Sequence, residues 1–395
     1  MVLGVTGGIA SYKAAWLARR LVQAGAQVDV VLTRAALQFV GEITFEALTG
    51  RPVRTALLDP GHALDHIKLG READVVVVAP ATADFIARVV QGRADDLLSA
   101  IVLAAPGPVL FAPAMNDRMW THPQTVANVA RLREFGYTVV EPDTGELAWG
   151  EGVGPGRLPE PDVLLAHIAR TLERQSFAGR RVVVTAGPTR EAIDPVRFVS
   201  NRSSGKMGVA VAGAAWRRGA DTILIAGPLG VDPPVGPAVV RVQTVAEMDQ
   251  AVRAELPAAD VLVMAAAPAD FRPKRAADRK LKRVQGAEAA PVLELETTED
   301  ILAGSRHLRR AGAVVVGFAL ETEDLLANAR AKLVSKDLDM IVVNDARQPG
   351  AGFEVDTNKV AILHRDGRSE DLPLLPKEEV AEAILDRVEA LLHGR

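Results

Sequence analysis

The chain lacks cysteine altogether and is poor in aromatic residues, which make up only 4% of it. Without cysteine, disulfides, thiolate metal sites and cysteine nucleophiles are excluded. No apolar run approaches the roughly 20 residues that span a bilayer. The start, Met1–Thr6, carries no charged leader and runs directly into a glycine-rich turn, so we expect a first strand rather than a signal peptide. These absences favour a cytoplasmic protein that does not bind membranes.

What the chain does have is length and a balanced composition. Its 395 residues exceed one ordinary hydrophobic core, so two or three domains are expected. Hydrophobic residues make up 48% and charged residues 24%, which is typical of a globular protein. The net charge of -4 gives no reason to expect nucleic acid as a partner.

Apolar runs alternate with helical patterns, which predicts an α/β fold with a doubly wound parallel sheet. Continuous runs such as Val75–Val78 indicate strands that are covered on both faces. In the first half, strands are predicted at Met1–Thr6, Gln27–Thr33, Asp74–Ala79, Pro108–Ala112 and Thr138–Val140, with helices beginning near Ser11, Ala35, Thr82, Leu97 and Gln124. In the second half, strands are predicted from Arg181 and at Thr222–Ala226, Val239–Val242, Val261–Ala265, Val314–Phe318, Met340–Val343 and Val360–Leu363.

The alternation breaks in a segment rich in glycine and proline. Gly150–Pro161 predicts a loop or a mobile flap, and a short helix is predicted over Asp162–Glu173. We therefore predict two α/β domains, residues 1–174 and 181–395, joined by a linker over residues 175–180.

Glycines and hydroxyls follow the predicted strands of the first half, at the edge where open α/β sheets bind ligands. Gly8 belongs to a Gly-Gly turn, and Ser11 is predicted to cap the helix that follows. Such a turn suits a phosphate, although the spacing is not that of a dinucleotide fingerprint. Thr33, Thr82 and Ser99 add hydroxyls, and together they would fit a mononucleotide phosphate and a ribityl chain.

Residues 113–120, P-A-M-N-D-R-M-W, form the most informative segment. Met115 and Met119 would line an apolar pocket wall, while the Asn116 amide can donate and accept, as is needed to hold a carboxylate or carboxamide. A structural loop with core methionines is the alternative interpretation. His66 is the base candidate of this half, because histidine is the usual proton shuttle near neutral pH.

The second half contains S-S-G-K-M-G at residues 203–208, which is similar to part of a P-loop. Ser200 stands where the upstream glycine of that motif is needed, so a P-loop NTPase is disfavoured, but an anion could still bind before the helix. Asp270 could hold Mg2+ or a ribose. The basic segment Lys274–Arg283 is either a solvated loop or a cover for a triphosphate. Lys332 and Lys336 are four residues apart, which predicts a shared helical face.

The motifs of the first half, in unbroken order over roughly residues 1–170, resemble the flavin-dependent cysteine decarboxylases and above all phosphopantothenoylcysteine decarboxylase. The resemblance implies a flavodoxin-like domain with FMN at a subunit interface of trimers. It implies His66 as the base, Asn116 as the clamp of the substrate carboxylate, and Met119 as a further substrate contact. The flavin would oxidise the thiol side so that CO2 can leave, and would then return the hydride. The implied FMN contacts are Gly8, Ser11, Thr33, Thr82, Ser99 and Met115.

One position departs from that family. The family uses a flap cysteine to protonate the enethiolate, and the matching position here is Trp149, whose indole has no usable acidity. Either Glu151 or water replaces that acid, or this half stops at the oxidised intermediate. Three hypotheses therefore remain: a bifunctional enzyme, a ligase with an impaired decarboxylase half, and a non-catalytic flavin-binding regulatory subunit.

The second half, over roughly residues 180–390, resembles phosphopantothenate–cysteine ligase through T-A-G-P-T-R-E, S-N-R-S-S-G-K-M-G, A-P-A-D, G-F-A-L-E-T and V-N-D. The resemblance implies a Rossmann-like domain in which CTP activates 4′-phosphopantothenate as an acyl-cytidylate, and cysteine then displaces CMP. By position, Asn201 would stabilise the acyl intermediate, and Lys280 would contact phosphate. Arg197 and Lys206 would bind substrate. The implied CTP site, with Asp270 also as the Mg2+ ligand, is Met264, Ala265, Ala266, Asp270, Lys280, Glu299, Asp300, Ile301, Leu302, Phe318, Lys332 and Lys336.

The order of the two halves is similar to that of the bacterial fusion protein of coenzyme A synthesis. The resemblance therefore implies ligation first and decarboxylation second, giving 4′-phosphopantetheine. The implied partners are the small molecules 4′-phosphopantothenate, cysteine and CTP, together with further copies of the chain. A dodecamer built from decarboxylase trimers and ligase dimers is expected.

Overall fold

The computed structural model describes residues 1–58, 60–282, 292–321, 325–345, 352 and 355–394. Within those ranges, no helix has the length and apolar character that a membrane crossing requires. The chain divides into two compact units, Met1–Glu173 and Arg174–Arg395. Arg283 of the predicted basic segment and Thr322 of the G-F-A-L-E-T motif lie outside the described residues.

The first unit is built on a five-stranded parallel sheet in the order β2-β1-β3-β4-β5. This is the flavodoxin-like strand order, and it confirms the predicted doubly wound sheet. The strands are β1 (Val2–Val5), β2 (Asp29–Leu32), β3 (Val76–Ala81), β4 (Val109–Pro113) and β5 (Thr138–Val139), and a separate hairpin consists of β6 (Asp143–Glu146) and β7 (Val153–Arg157). The helices are α1 (Ser11–Gln23), α2 (Glu42–Thr49), α3 (Asp65–Glu72), α4 (Ala83–Val90), α5 (Leu97–Ala104), α6 (Asp117–Trp120), α7 (Pro123–Glu134) and α8 (Pro161–Leu172).

Two local predictions for this unit are wrong. The helix expected near Ala35 is only a 3-10 turn over Ala36–Gln38, and α2 begins later, at Glu42. The expected loop over Gly150–Pro161 contains β7, which pairs with β6. Glycine and proline concealed this strand, because both residues are depleted in ordinary strands.

The second unit contains an eight-stranded sheet in the order β12-β11-β8-β13-β16-β17-β19-β20. Its strands run parallel up to β17, and β19 and β20 are antiparallel additions at one edge. The sheet strands are β8 (Arg181–Ala186), β11 (Asp221–Ala226), β12 (Ala238–Arg241), β13 (Val261–Met264), β16 (Val314–Glu321), β17 (Met340–Asp345), β19 (Val360–His364) and β20 (Ser369–Asp371). All seven strands predicted for this half are present.

Short elements complete the second unit and were not predicted as strands. The small antiparallel pairs are β9 (Arg190–Ala192) with β10 (Phe198–Ser200), β14 (Phe271–Pro273) with β15 (Leu295–Thr297), and β18 (Thr357–Asn358) with β21 (Leu375–Pro376). The helices are α9 (Lys206–Arg217), α10 (Val245–Glu255), α11 (Ile301–Gly304), α12 (Leu325–Ser335) and α13 (Lys377–His393). Strands of two or three residues are too short for hydrophobic periodicity to reveal them.

Candidate active sites

A cavity of about 390 Å³ lies at the carboxyl ends of β1, β3 and β4 in the first unit. This volume is within the range of small-molecule sites, and the position is where open α/β sheets bind ligands. The predicted residues Gly8, Thr82, Met115, Asn116 and Met119 all line this cavity. The structure therefore brings five of the sequence-predicted residues to one place.

Thr6 connects the ends of β1 and β3 by hydrogen bonds. Its hydroxyl donates to the Pro80 carbonyl at 2.7 Å and accepts from the Thr82 N–H at 3.0 Å. Beside it, Gly8 leaves open space, because a Cβ added there would find only the Thr82 methyl, at 3.9 Å. This open turn precedes the 13-residue helix α1, whose first N–H groups have no partner within the helix. The turn therefore fits a phosphate or a flat ring system.

Asn116 presents a hydrogen-bond donor to the cavity. Its side-chain oxygen accepts from the Arg118 N–H at 2.9 Å, so the amide caps α6. The oxygen is thereby used locally, and the NH2 group is what the side chain can offer to a ligand. Such a donor suits a carboxylate.

The β6–β7 hairpin lies against the loop that carries Asn116. The Met115 N–H donates to the Gly156 carbonyl at 2.9 Å. Gly156 has φ 132°, and a Cβ there would lie 2.1 Å from the Met115 oxygen. Only glycine therefore permits this close approach. The hairpin is a fixed wall of the cavity at this point.

Lys13 anchors the chain just beyond the hairpin, and sequence reasoning missed it. Its buried ammonium donates to the Leu158 carbonyl at 2.8 Å and to the Glu160 carboxylate at 2.9 Å. The hydrogen bond from Lys13 lowers the pKa of Glu160. A signal was available, because Lys13 lies four residues before Leu17 on the buried stripe of α1.

Two predicted cofactor hydroxyls are used inside the fold. Ser11 does not cap α1: Ala10 precedes the helix, and the buried Ser11 hydroxyl donates to the Thr6 and Gly8 carbonyls at 3.0 and 2.7 Å. The prediction of a Ser11 cap is therefore wrong. Ser99 forms a capping box with Asp96 at the start of α5. Neither serine is among the residues that line the cavity.

Thr33 and His66 lie outside this cavity in the single chain. Thr33 lines a neighbouring depression together with Gly7 and Thr82. His66 lies on α3, and its buried Nδ1 atom has no hydrogen-bond partner within the described part of the chain. That Thr33 and His66 contact a ligand therefore remains a prediction.

A second cavity, of about 350 Å³, lies beside the ends of β13, β16 and β17 in the second unit. The start of α9 contributes Lys206 to its wall. The predicted residues that line this cavity are Asn201, Lys206, Ala265, Ala266, Asp270, Phe318 and Lys332. The structure thus gathers residues that are more than 130 positions apart in the sequence.

The loop over residues 265–270 is held by hydrogen bonds on several sides. The Ala266 N–H donates to the Thr185 hydroxyl at 3.1 Å, and the Ala269 N–H donates to the Thr189 hydroxyl at 2.9 Å. The Thr298 hydroxyl donates to the Ala269 carbonyl at 2.6 Å. These bonds fix the position at which Asp270 leaves the loop.

Asn201 completes that loop from the opposite side. Its NH2 group donates to the Ala267 and Pro268 carbonyls at 3.1 and 2.9 Å. What the side chain can offer to a ligand is therefore its oxygen, an acceptor. An acceptor suits a hydroxyl or an N–H group of a substrate.

Three lysines give the second cavity a cationic wall. Lys206 donates to Asp356 at 2.6 Å and thereby lowers the pKa of that carboxyl. The buried Lys377 donates to the Gly352 carbonyl at 2.9 Å, and burial, followed by the charge of Lys206, lowers its pKa. Lys332 is the third. Sequence reasoning missed Lys377, because it begins the last helix, far from every motif.

Five residues that were predicted to contact the nucleotide make other interactions in the structure. Met264, Ile301 and Leu302 belong to the hydrophobic core. Glu299 accepts from Arg272 at 3.1 Å, and Asp300 caps α11. None of these five residues lines the second cavity.

Lys336 follows Lys332 by one helical turn, because its N–H donates to the Lys332 carbonyl at 3.0 Å just after α12 ends at Ser335. This agrees with the predicted shared face. The Lys336 ammonium lies 3.4 Å from the Asp300 carboxylate, and Lys336 does not line the cavity that contains Lys332.

Arg197 lies beside the basic segment rather than in the cavity. Its guanidinium donates to the buried Asp194 carboxylate at 2.9 Å and to the Leu281 carbonyl at 2.7 Å. This guanidinium holds the pKa of Asp194 well below its usual range. The Leu281 N–H also donates to Asp194, at 3.1 Å. The segment is thus anchored next to Lys280, which is exposed and does not line the cavity.

No three histidine or acidic side chains cluster as metal ligands in the part of the chain that the structure describes. Asp270 is the acidic side chain that lines the second cavity. Mg2+ is commonly held by one or two carboxylates together with substrate phosphates and water. The residues present are therefore compatible with a cation that arrives with a triphosphate.

Two family models match the chain, one for each unit. The flavoprotein family matches residues 1–173. The DNA/pantothenate metabolism flavoprotein C-terminal domain matches residues 177–392. The second match alone covers more than half of the chain.

Relatives match the chain over its whole length. The coenzyme A biosynthesis bifunctional protein CoaBC of Mycobacterium bovis is 48% identical, with 100% of this chain and 97% of that protein covered. The protein of the same name from Bacillus subtilis is 44% identical, with 99% of this chain and 97% of that protein covered. The chain belongs to the CoaBC family.

Membership of the CoaBC family makes the chain a bifunctional enzyme of coenzyme A biosynthesis, with a decarboxylase and a ligase activity. Among solved structures, the C-terminal domain of a CoaBC protein is 38% identical and covers 56% of this chain and 100% of that structure, with a TM-score of 0.48. A PPC decarboxylase mutant complexed with pantothenoylaminoethenethiol is 29% identical and covers 42% of this chain and 94% of that structure, with a TM-score of 0.38.

Proposed function

We propose that the two cavities perform consecutive reactions on one pantothenate-derived molecule. The second cavity joins 4′-phosphopantothenate to cysteine with CTP, and the first removes CO2 from the product to give 4′-phosphopantetheine. The observation that supports this assignment is the contrast between the two linings. The first offers an amide donor beside an open glycine turn, and the second offers three lysines beside one carboxylate.

In the first cavity, the proposed cofactor is FMN. The open space at Gly8 and the apolar side chains of Met115 and Met119 support a flat aromatic ring and its phosphate. When bound, FMN supplies the two-electron oxidation and re-reduction without which the carboxylate has no electron sink. The Asn116 NH2 group holds the substrate carboxylate, and His66 acts as the base from a partner subunit.

In the second cavity, the lysines balance the charge that develops on the triphosphate as the carboxylate of 4′-phosphopantothenate attacks. Asp270 would hold the Mg2+ that accompanies the triphosphate. The Asn201 oxygen accepts a hydrogen bond from a hydroxyl or amide N–H of the substrate. Lys280 approaches the phosphates from the anchored basic segment, whose position depends on Asp194 and Arg197.

The proposed assembly is a cytoplasmic homo-oligomer, a dodecamer of decarboxylase trimers and ligase dimers. The base assigned to His66 requires such an arrangement, because this residue does not line the cavity of its own chain. The mass of the purified particle in solution tests the assembly. A monomer with full decarboxylase activity would contradict the proposed role of His66 across an interface.

The experiment that tests the whole proposal follows each reaction separately in the purified protein. With 4′-phosphopantothenate, cysteine, CTP and Mg2+, we expect pyrophosphate release, flavin absorbance bands and 4′-phosphopantetheine by mass spectrometry. Accumulated phosphopantothenoylcysteine would instead identify a ligase with an impaired decarboxylase half. Protein that releases no pyrophosphate and turns over no substrate would identify a regulatory subunit.

A further inference from the structure

The turn at the tip of the β6–β7 hairpin brings Glu151, and not Trp149, to the first cavity. The Glu151 N–H donates to the Ala148 carbonyl at 2.9 Å, which closes a four-residue turn with Trp149 and Gly150 at its corners. Gly150 has φ 85°, the backbone conformation that a turn of type II requires at its third position. Corner residues project outward, whereas the first and fourth residues return to the hairpin.

The residues that line the first cavity agree with this geometry. Trp149 is fully exposed and is not among the residues that line the first cavity, whereas Ala148 and Glu151 both line it. The hairpin thus places a carboxyl group, and not an indole, at the cavity. Rotating Trp149 inward would require a different turn, because Gly150 and Gly152 fix the path of the tip with positive φ angles.

A second carboxyl group, Glu146, belongs to the same hairpin and needs to be distinguished from Glu151. Glu146 pairs with Val153, whose side chain is 73% exposed. The neighbouring pair, Gly145 with Gly154, lies on the other face of the ladder, where a Cβ on Gly154 would lie 2.8 Å from the Asp117 Cβ. Glu146 also lines the first cavity, but because successive residues alternate between faces, it lies on the face of the ladder opposite to the contact with Asp117.

The remaining proton-bearing side chains of the cavity are less suitable. Lys13 and Arg157 are both held by the Glu160 carboxylate, at 2.9 and 2.6 Å. Tyr12 is a phenol, which is a much weaker acid than a carboxyl group. Glu151 combines a carboxyl group, a position at the cavity and, within the described residues, no ion pair. It differs from Glu146 in following the turn, whereas Glu146 lies on the ladder face opposite to the contact with Asp117.

We propose that Glu151 is the general acid of the decarboxylase half, an inference that rests on the proposed function. After CO2 has left, the substrate is an enethiolate. The Glu151 proton passes to the carbon that lost CO2, the C=C electron pair forms the new C–H bond, and the sulfur electrons re-form C=S. A bound flavin would supply the hydride that converts C=S to the thiolate and would thereby return to its oxidised form. Solvent reprotonates the carboxylate and the thiolate, so atoms and electrons balance.

The test is the variant Glu151→Gln, which keeps the size of the side chain but removes its acidity. General acid catalysis is worth about 10²–10⁴-fold, so we expect 4′-phosphopantetheine formation to fall at least about 10²-fold. Oxidation and CO2 release should continue for one turnover. A decarboxylated product lighter by two hydrogen atoms should therefore accumulate, and under anaerobic conditions the flavin absorbance should stay bleached.

Three further variants separate this proposal from its alternatives. Trp149→Phe should behave as the native enzyme, and Glu151→Cys should restore part of the turnover because a thiol can also supply the proton. If Glu146→Gln accumulates the lighter product while Glu151→Gln turns over normally, the proposal is wrong. If the native enzyme itself neither binds flavin nor releases CO2, the proposed function fails, and that outcome is distinct from a defect confined to Glu151→Gln.

Discussion

Asn116 lines the first cavity and Asn201 lines the second. The two side chains are identical, but they offer opposite hydrogen-bonding groups to a ligand. Asn116 uses its oxygen to cap a short helix, so it faces a ligand with a donor. Asn201 uses its NH2 group on two loop carbonyls, so it faces a ligand with an acceptor. The residue type therefore determines only which hydrogen bonds a side chain is able to form. The local backbone decides which half of an amide is left for the substrate.

The two cavities also differ in the charged side chains that line them or lie beside them. The first cavity has a largely apolar lining and pairs its buried Lys13 with Glu160, which fits chemistry that a cofactor performs. The second directs Lys206, Lys332 and Lys377 toward one space, which fits chemistry that creates negative charge on phosphates. Substitutions that alter donors or charges should therefore separate the two activities.

The largest expected effect is that of Asn116→Asp. Aspartate caps a helix as well as asparagine, so the fold should be kept, but a carboxylate replaces the donor that faces the substrate. We expect the kcat/KM of decarboxylation to fall at least about 10²-fold, since one lost donor already has such an effect in other enzymes. Ligation by the same protein, measured as pyrophosphate release, is the internal control. Equal losses in both reactions would contradict the assignment of Asn116 to the first.

The matched change in the second unit, Asn201→Asp, should act by another route. The acceptor is kept, but the Ala267 and Pro268 carbonyls lose their donors and face a negative charge. Each of the two lost hydrogen bonds is worth about 1 kcal/mol, so we expect at least about a 10-fold loss in ligation and a lower unfolding midpoint. Decarboxylation of supplied phosphopantothenoylcysteine should be unaffected. Native ligation rates would mean that the loop over residues 265–270 does not need this contact.

Much of the fold could be predicted from the sequence, because buried parallel strands are continuous apolar runs. Residues next to strand ends, such as Met115 and Asp270, could also be placed, since the carboxyl edge of a sheet collects them. Lys377 and the strand β7 could not. Lys377 reaches its cavity only through the tertiary packing of the last helix, and glycine hides a strand whose role is close backbone approach. The prediction that Ser11 caps α1 was wrong for a related reason. A hydroxyl at the start of a helix can donate to carbonyls of the preceding turn, as Ser11 does, instead of accepting from N–H groups of the helix.

The smallest expected effect concerns how each site is anchored, by a charge pair in the first unit and by neutral hydrogen bonds in the second. The folded-state pKa of Glu160 is lowered, first by Lys13, so its stabilisation is complete above the unfolded pKa and is lost as the pH falls through the folded pKa. Glu160 is half-exposed, so after solvent screening Glu160→Gln should cost only about 0.5 kcal/mol at pH 7. That difference should shrink toward about pH 4, close to the usual pKa of glutamate. Thr298→Val, which removes the neutral bond to Ala269, is the control, and its destabilisation should not change with pH. Unfolding midpoints at both pH values measure the two effects, and a pH-independent loss in Glu160→Gln would show that the charge of the pair contributes nothing.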